Sequence, residues 1–86
     1  VAKFTILFAR SARKELENLP DTVVERVLSS IDKLFSEPFP HGCKKLKGEK
    51  NLWRIRVGEY RIIYSVFSDS LVVDIVRIRH RKEVYN

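Results

Sequence analysis

The spacing of hydrophobic positions divides the chain into segments of different period. Over Val1–Phe8, Phe4, Ile6 and Phe8 alternate with Thr5 and Leu7, and β-branched and aromatic residues are frequent, which predicts a strand. From Ser11 the apolar positions Ala12, Leu16 and Leu19 are spaced by four and three, which predicts a short helix to about Asn18 with the Ser11 hydroxyl as its N-cap. Pro20 breaks it. Thr22 and Glu25 form a T-x-x-E capping box for a second helix, along which Val24, Val27, Leu28, Ile31, Leu34 and Phe35 make one apolar stripe. That stripe is expected in the core, and Pro38 and Pro40 end the helix.

The next stretch, Phe39 to Asn51, loses all periodicity. Two glycines, a proline and four lysines (Lys44, Lys45, Lys47, Lys50) mark an exposed basic connection, anchored to the core by Leu46. The last third is β again. Leu52–Val57 and Tyr60–Phe67 flank Gly58-Glu59, and Gly at the first central position fits a type II′ hairpin. Leu71–Arg79 is a third strand, reached through Ser68-Asp69-Ser70. The order β-α-α-β-β-β predicts an α+β fold, a helical hairpin packed on one face of a mostly antiparallel sheet. At 86 residues the chain is a single domain, spanning 1–86.

The hairpin register sorts the side chains. A two-residue loop sets Val57 opposite Tyr60, Arg56 opposite Arg61, Ile55 opposite Ile62 and Arg54 opposite Ile63. Opposed residues share a face, and neighbours along a strand do not. Trp53, Ile55, Val57, Tyr60, Ile62 and Tyr64 therefore face the helices, and Arg54, Arg56 and Arg61 face outward. Arg77 and Arg79 share a face of the last strand. Arg56 against Arg61 is a like-charge pair that opposes folding. A face built from guanidiniums rather than from mixed polar residues suits phosphate.

Charge sharpens this picture. Lys and Arg number 17 against 11 Asp and Glu, a formal net charge of +6. Residues 1–43 carry six basic and six acidic side chains, whereas residues 44–86 carry eleven basic and five acidic. The whole excess sits in the half that holds the basic connection and the arginine strands, the footprint of a polyanion-binding surface. The lone cysteine, Cys43, excludes an internal disulfide and a multi-Cys metal site. No apolar run approaches a membrane span and no signal-peptide pattern opens the chain, so a cytoplasmic protein is expected.

Four strings in order carry a resemblance: Lys45-Leu46-Lys47-Gly48, Trp53-Arg54-Ile55-Arg56-Val57, Tyr60-Arg61-Ile62-Ile63-Tyr64, and Ile78 with His80-Arg81 and Glu83-Val84-Tyr85. Behind a strand and a helical hairpin, they resemble toxins of the RelE/ParE superfamily of bacterial type II toxin–antitoxin systems, closest to the RelE branch, over nearly the whole chain. The resemblance implies a small RNase-like fold and cleavage of mRNA in the ribosomal 30S A site, without a cofactor or metal. The ribose 2′-oxygen attacks the adjacent phosphate, leaving a 2′,3′-cyclic phosphate and a 5′-OH end. It assigns Arg54 and Arg56 to phosphorane stabilisation, Arg61 to clamping the scissile phosphate, Arg81 or Arg79 to the family's later arginine, and Tyr85 to base stacking or proton transfer.

Some relatives carry Lys where Arg54 and Arg56 stand; Arg cannot act as a base near neutrality. The base is therefore open between His80 and Tyr85, and simple alternation sets His80 on the face opposite Arg79. Lys44, Lys45, Lys47, Lys50, Arg77 and Arg79 are expected to bind RNA or the ribosome. The resemblance also implies a partner, a RelB-like antitoxin. The competing expectations are a ParE-like toxin that inhibits DNA gyrase by binding it, and a basic binding module without activity.

Overall fold

The computed structural model describes residues 3–82. Its elements are β1 (Thr5–Phe8), α1 (Arg10–Glu17), α2 (Asp21–Lys33), β2 (Lys44–Lys45), β3 (Trp53–Val57), β4 (Tyr60–Phe67) and β5 (Val72–His80). They form one sheet in the order β1-β5-β4-β3-β2, in which β1 runs parallel to β5 and every other pairing is antiparallel. The fold is the expected α+β arrangement with one strand more. Within the basic connection, Lys44 and Lys45 pair with Arg54 and Trp53, and the amide of Leu46 donates to the Leu52 carbonyl at 2.8 Å. Polar side chains hid this strand, but its backbone groups still need partners, and the edge of β3 supplies them.

The β3–β4 hairpin has the expected register, from Val57 opposite Tyr60 to Arg54 opposite Ile63. Gly58 has φ +60° and Glu59 is not among the positive-φ residues, as a type II′ turn requires. Between β4 and β5 the pairing runs from Tyr60–His80 to Ile63–Arg77 and resumes at Tyr64–Ile75, so Val76 is an extra residue, a β-bulge. The bulge lets Val73, Ile75 and Ile78 all face the helices while Arg77 and Arg79 face outward with Arg61.

On the helix side lies the core: Ala12, Val27, Ile31 and Leu34 from the helical segment against Ile55, Val57, Ile62, Tyr64, Val66, Val73, Ile75 and Ile78, with Phe4 at its margin. Val24 and Leu28 of the stripe are half-buried. Phe35 is 44% exposed, because α2 ends at Lys33 and the chain has left the helical path by then. Tyr64 is fully buried and its hydroxyl donates to the Pro38 carbonyl at 2.8 Å, tying the loop after α2 to the central strand. Burial pushes that hydroxyl far above the usual tyrosine range.

Both expected caps are replaced. Ala9 and Pro20 occupy the N-cap positions and neither helix start has a side-chain cap. Helix α2 begins at Asp21, which puts Thr22 inside the first turn and sets the Asp21 carboxylate at the positive end of the helix. Ser11 lies in the first turn of α1 and its hydroxyl donates to the Val76 carbonyl at 2.9 Å. One turn on, the Glu15 carboxylate accepts the Ile78 amide at 2.9 Å. Strand β1 reaches only Ile75 on β5; beyond it, side chains at i and i+4 of α1 stand in for a strand.

Asn51 plays a similar part beside β4. Its amide donates to the Val66 carbonyl at 2.8 Å and its oxygen accepts the Val66 amide at 3.1 Å and, at 3.3 Å, the Trp53 indole N–H. Asn51→Ala leaves both half-buried backbone groups of Val66 without these partners, a loss of about 1–3 kcal/mol. In a domain of this size each kcal/mol lowers Tm by roughly 4–8 °C, so a thermal melt of the variant should show a clear drop, and an unchanged Tm would mean that water replaces the amide at no cost.

Candidate functional site

The face turned away from the helices is divided along the strands. At one end Thr5, Val72 and Phe67 lie in a row across three strands, followed by Leu7, Asp74 and Ser65. Past the bulge the rows become basic: Arg77, Ile63, Arg54 and Lys44 lie side by side across four strands, and Arg79, Arg61 and Arg56 across three. Arg61 is thus flanked by guanidinium-bearing residues on both neighbouring strands. Arg54 is only 9% exposed, the one buried charged residue among those described, while Arg61 and Arg79 are half-buried and Arg56 and Arg77 exposed.

Glu15 moderates one end of these rows. The carboxylate that accepts the Ile78 amide also reaches Arg77 at 3.5 Å and Arg79 at 3.8 Å. Arg81 is held by a different acid. Its amide donates to the Glu59 carbonyl at 2.8 Å, and its Nε lies 2.7 Å from the Glu59 carboxylate. This double attachment brings the residue after β5 onto the hairpin turn. There a hollow of about 360 Å³ opens, lined by Arg56, Gly58, Glu59, Tyr60, Arg61, Arg81 and Lys82. Arg26 of α2 leans over the same turn, so close that a Cβ on Gly58 would lie 2.9 Å from its guanidinium.

Of the residues singled out in the sequence, then, Arg56, Arg61 and Arg81 share one hollow, and Arg54, Arg77 and Arg79 stand beside it on the same face. Arg81, rather than Arg79, lines the hollow; Arg79 is in register with Arg61. Lys44 stands beside Arg54, Lys45 beside Trp53, and Lys47 and Lys50 are exposed in the turn that follows. His80 is opposite Tyr60, and its ring packs edge-on to the Tyr60 ring at 5.2 Å on the helix side, away from the guanidiniums. Its Nδ1 accepts the Lys82 amide at 3.2 Å. Tyr85 lies outside the described residues.

His41 was not singled out in the sequence. It lies in the connection after α2 and shares a second hollow with Arg54 and Arg56. Its only signal was its place in a Pro-His-Gly turn just before the lysines, and loops of that kind often carry function. Among the described residues no group of three or more His, Cys, Asp or Glu is arranged to hold a metal ion, and no helix is long and apolar enough to cross a membrane.

Known proteins share this architecture. A family model described as the ParE toxin of the type II toxin–antitoxin system parDE matches residues 6–85. Toxin RelE3 of Methanocaldococcus jannaschii is 33% identical over 85 residues, covering 94% of each chain. In the archaeal RelE–RelB complex from Pyrococcus horikoshii, a chain superposes with a TM-score of 0.81 at 32% identity, over 92% of this chain and 96% of that one. The isolated E. coli RelE toxin superposes with a TM-score of 0.79 at 28% identity, over 98% and 92%. The family match spans the sheet and both helices, and the similar chains are named RelE by sequence and by structure alike. The chain therefore belongs to the RelE/ParE superfamily, and it is a RelE-like toxin of a type II toxin–antitoxin system.

Proposed function

We propose that this toxin is an endoribonuclease that cuts mRNA in the ribosomal 30S A site and so arrests translation. The observation that carries the reading is the meeting of Arg56, Arg61 and Arg81 in one hollow, with Arg61 set between Arg56 and Arg79 in the sheet. When a ribose 2′-oxygen attacks its neighbouring phosphate, charge builds on the equatorial oxygens of the phosphorane. Guanidiniums fixed in advance around that point stabilise the transition state more than the ground state. Arg61 and Arg56 hold those oxygens, and Arg81, fixed through Glu59, closes the hollow from the other side. The 2′-proton leaves as the P–O5′ bond breaks and O5′ takes up a proton, giving the 2′,3′-cyclic phosphate and a 5′-OH. The arginines stay protonated throughout, so proton transfer needs another group. Of the two candidates His80 and Tyr85, His80 has its ring on the helix side and does not line the hollow, which favours Tyr85. On this reading the protein works in the cytoplasm, and a RelB-like antitoxin with acidic side chains neutralises the arginine face; the similar Pyrococcus toxin chain is seen in complex with RelB.

The family model is described as a ParE toxin, and on that branch the second reading is a toxin that inhibits DNA gyrase by binding it, without RNase chemistry. Inducing the protein in cells and mapping transcript 5′ ends separates the two. Clustered cleavages in reading frame support the ribonuclease, and intact mRNA with DNA damage supports the gyrase inhibitor.

Four outcomes are expected. Arg61→Ala should fold, bind antitoxin and ribosomes, and lose ~10²–10³ in cleavage rate, the usual loss for one preorganised electrostatic contact; full toxicity in that variant would rule the mechanism out. His80→Gln and Tyr85→Phe then assign the proton transfer, since the variant lacking the responsible group flattens one limb of the pH–rate profile. Neutralising Lys44, Lys45, Lys47 and Lys50 together should reduce the slope of log K against log[salt] for ribosome binding by a few units, because fewer counterions are released. An unchanged slope would show that this segment does not touch RNA. Finally, cross-linking of the co-purified antitoxin should reach the Arg54–Arg56–Arg61 cluster, and a complex that leaves those side chains fully accessible would exclude direct neutralisation.

A further inference from the structure

Arg56 stands in the wall of more than one hollow. On one side it meets Arg61 and Arg81 at the hairpin turn. On the other it lines a second hollow of about 380 Å³ with Arg54, Ser30 and Lys33 of α2, and His41 and Gly42 of the connection. No acidic side chain lines this second hollow among the described residues. Arg54 lines it from a site only 9% exposed, whereas Lys33 and His41 are exposed at its rim. Lys33 sits in the last turn of α2, where its charge more than offsets the partial negative end of the helix.

Two cationic hollows that share one guanidinium suit a ligand with regularly repeated anionic groups. A polynucleotide presents a phosphate at every nucleotide, so a strand whose scissile phosphate lies with Arg61 carries its neighbour to the far side of Arg56. The second hollow is larger than one phosphate needs and falls in the size range of small-ligand sites. His41 adds a planar ring and N–H donors at its rim, groups that single-stranded RNA uses for stacking and hydrogen bonding.

We propose that this hollow is a second nucleotide subsite, in which Arg54 and Lys33 hold the phosphate next to the scissile one and His41 contacts the attached ribose or base. The proposal rests on the endoribonuclease reading and adds to it a direction for the strand, from the hairpin turn across Arg56 toward the end of α2.

The test uses the full chain, ¹⁵N-labelled, titrated with a tetraribonucleotide that is 2′-O-methylated and so cannot be cleaved. The expected result is that the amides of His41 and Gly42 shift together with those of Gly58 to Arg61. Lys33→Ala should weaken binding about tenfold and lower the salt slope by roughly 0.7, the value for one phosphate contact on a single strand. Lys33→Arg should restore both, and His41→Ala should weaken binding without changing the slope by as much. Shifts confined to Gly58–Arg61, with full affinity in Lys33→Ala, would overturn the subsite and leave the ribonuclease reading standing. Shifts at neither hollow would overturn both. A response of His41 and Gly42 to an acidic peptide but not to the oligonucleotide would also overturn it, by giving the hollow to the antitoxin.

Discussion

Arg56, Arg61 and Arg79 lie in one row across three strands, and their mutual repulsion is the constraint that the rest of the fold answers to. Like charges directly opposed in a sheet oppose folding, and here they are stacked in succession. What holds them is the other face. Ile62 and Ile78 are buried directly behind the row, and Tyr64, with its hydroxyl bound to the Pro38 carbonyl, fixes the middle strand to the loop beyond α2. A small core is thus spent on keeping cations close together. Such an arrangement has little value for stability and considerable value for binding a multiply charged anion.

Two carboxylates, Glu15 and Glu59, fix arginines of this face in position. Glu15 uses one oxygen on the Ile78 amide and the other on Arg77 and Arg79, so it is tied to the backbone before it meets a guanidinium. Glu59 holds Arg81 through both its carbonyl and its side chain. Glu59 thus lines the hollow together with the cation it orients, and Glu15 does not line it.

The sequence made the hairpin legible because Gly58 fixes a two-residue turn and a turn fixes a register; from that register the separation of guanidiniums from isoleucines follows. The apolar stripe of α2 was legible for the same kind of reason, a period long enough to average out exceptions. Features that depend on distant partners were not. Ser11 reads as a cap until the edge of β5, 65 residues away, competes for its hydroxyl. Thr22 and Glu25 read as a capping box until Pro20, with its preset φ, starts the helix two residues early. Lys44 and Lys45 read as loop because their side chains say nothing of the backbone edge they join. Within the site, the strand arginines could be found by alternation, but His41 could not, since the segment that carries it is brought beside Arg54 by the pairing of Lys44 with Arg54, which the side chains did not reveal. The meeting of Arg81 with Arg56 likewise depends on how the chain leaves β5.

The bulge at Val76 gives β5 one residue of slack between two regular halves. A chain lacking Val76 would alternate without interruption, with Ile75 and Ile78 still inward and Arg77 and Arg79 still outward, and would forfeit only the local bend and the carbonyl that Ser11 grips. A residue gained or lost anywhere from Arg77 to His80 would instead exchange guanidiniums for isoleucine across the sheet. Tolerance to length change along this strand is therefore concentrated at a single position, and divergent toxins built on this sheet can differ in length there while presenting the same side chains to their targets.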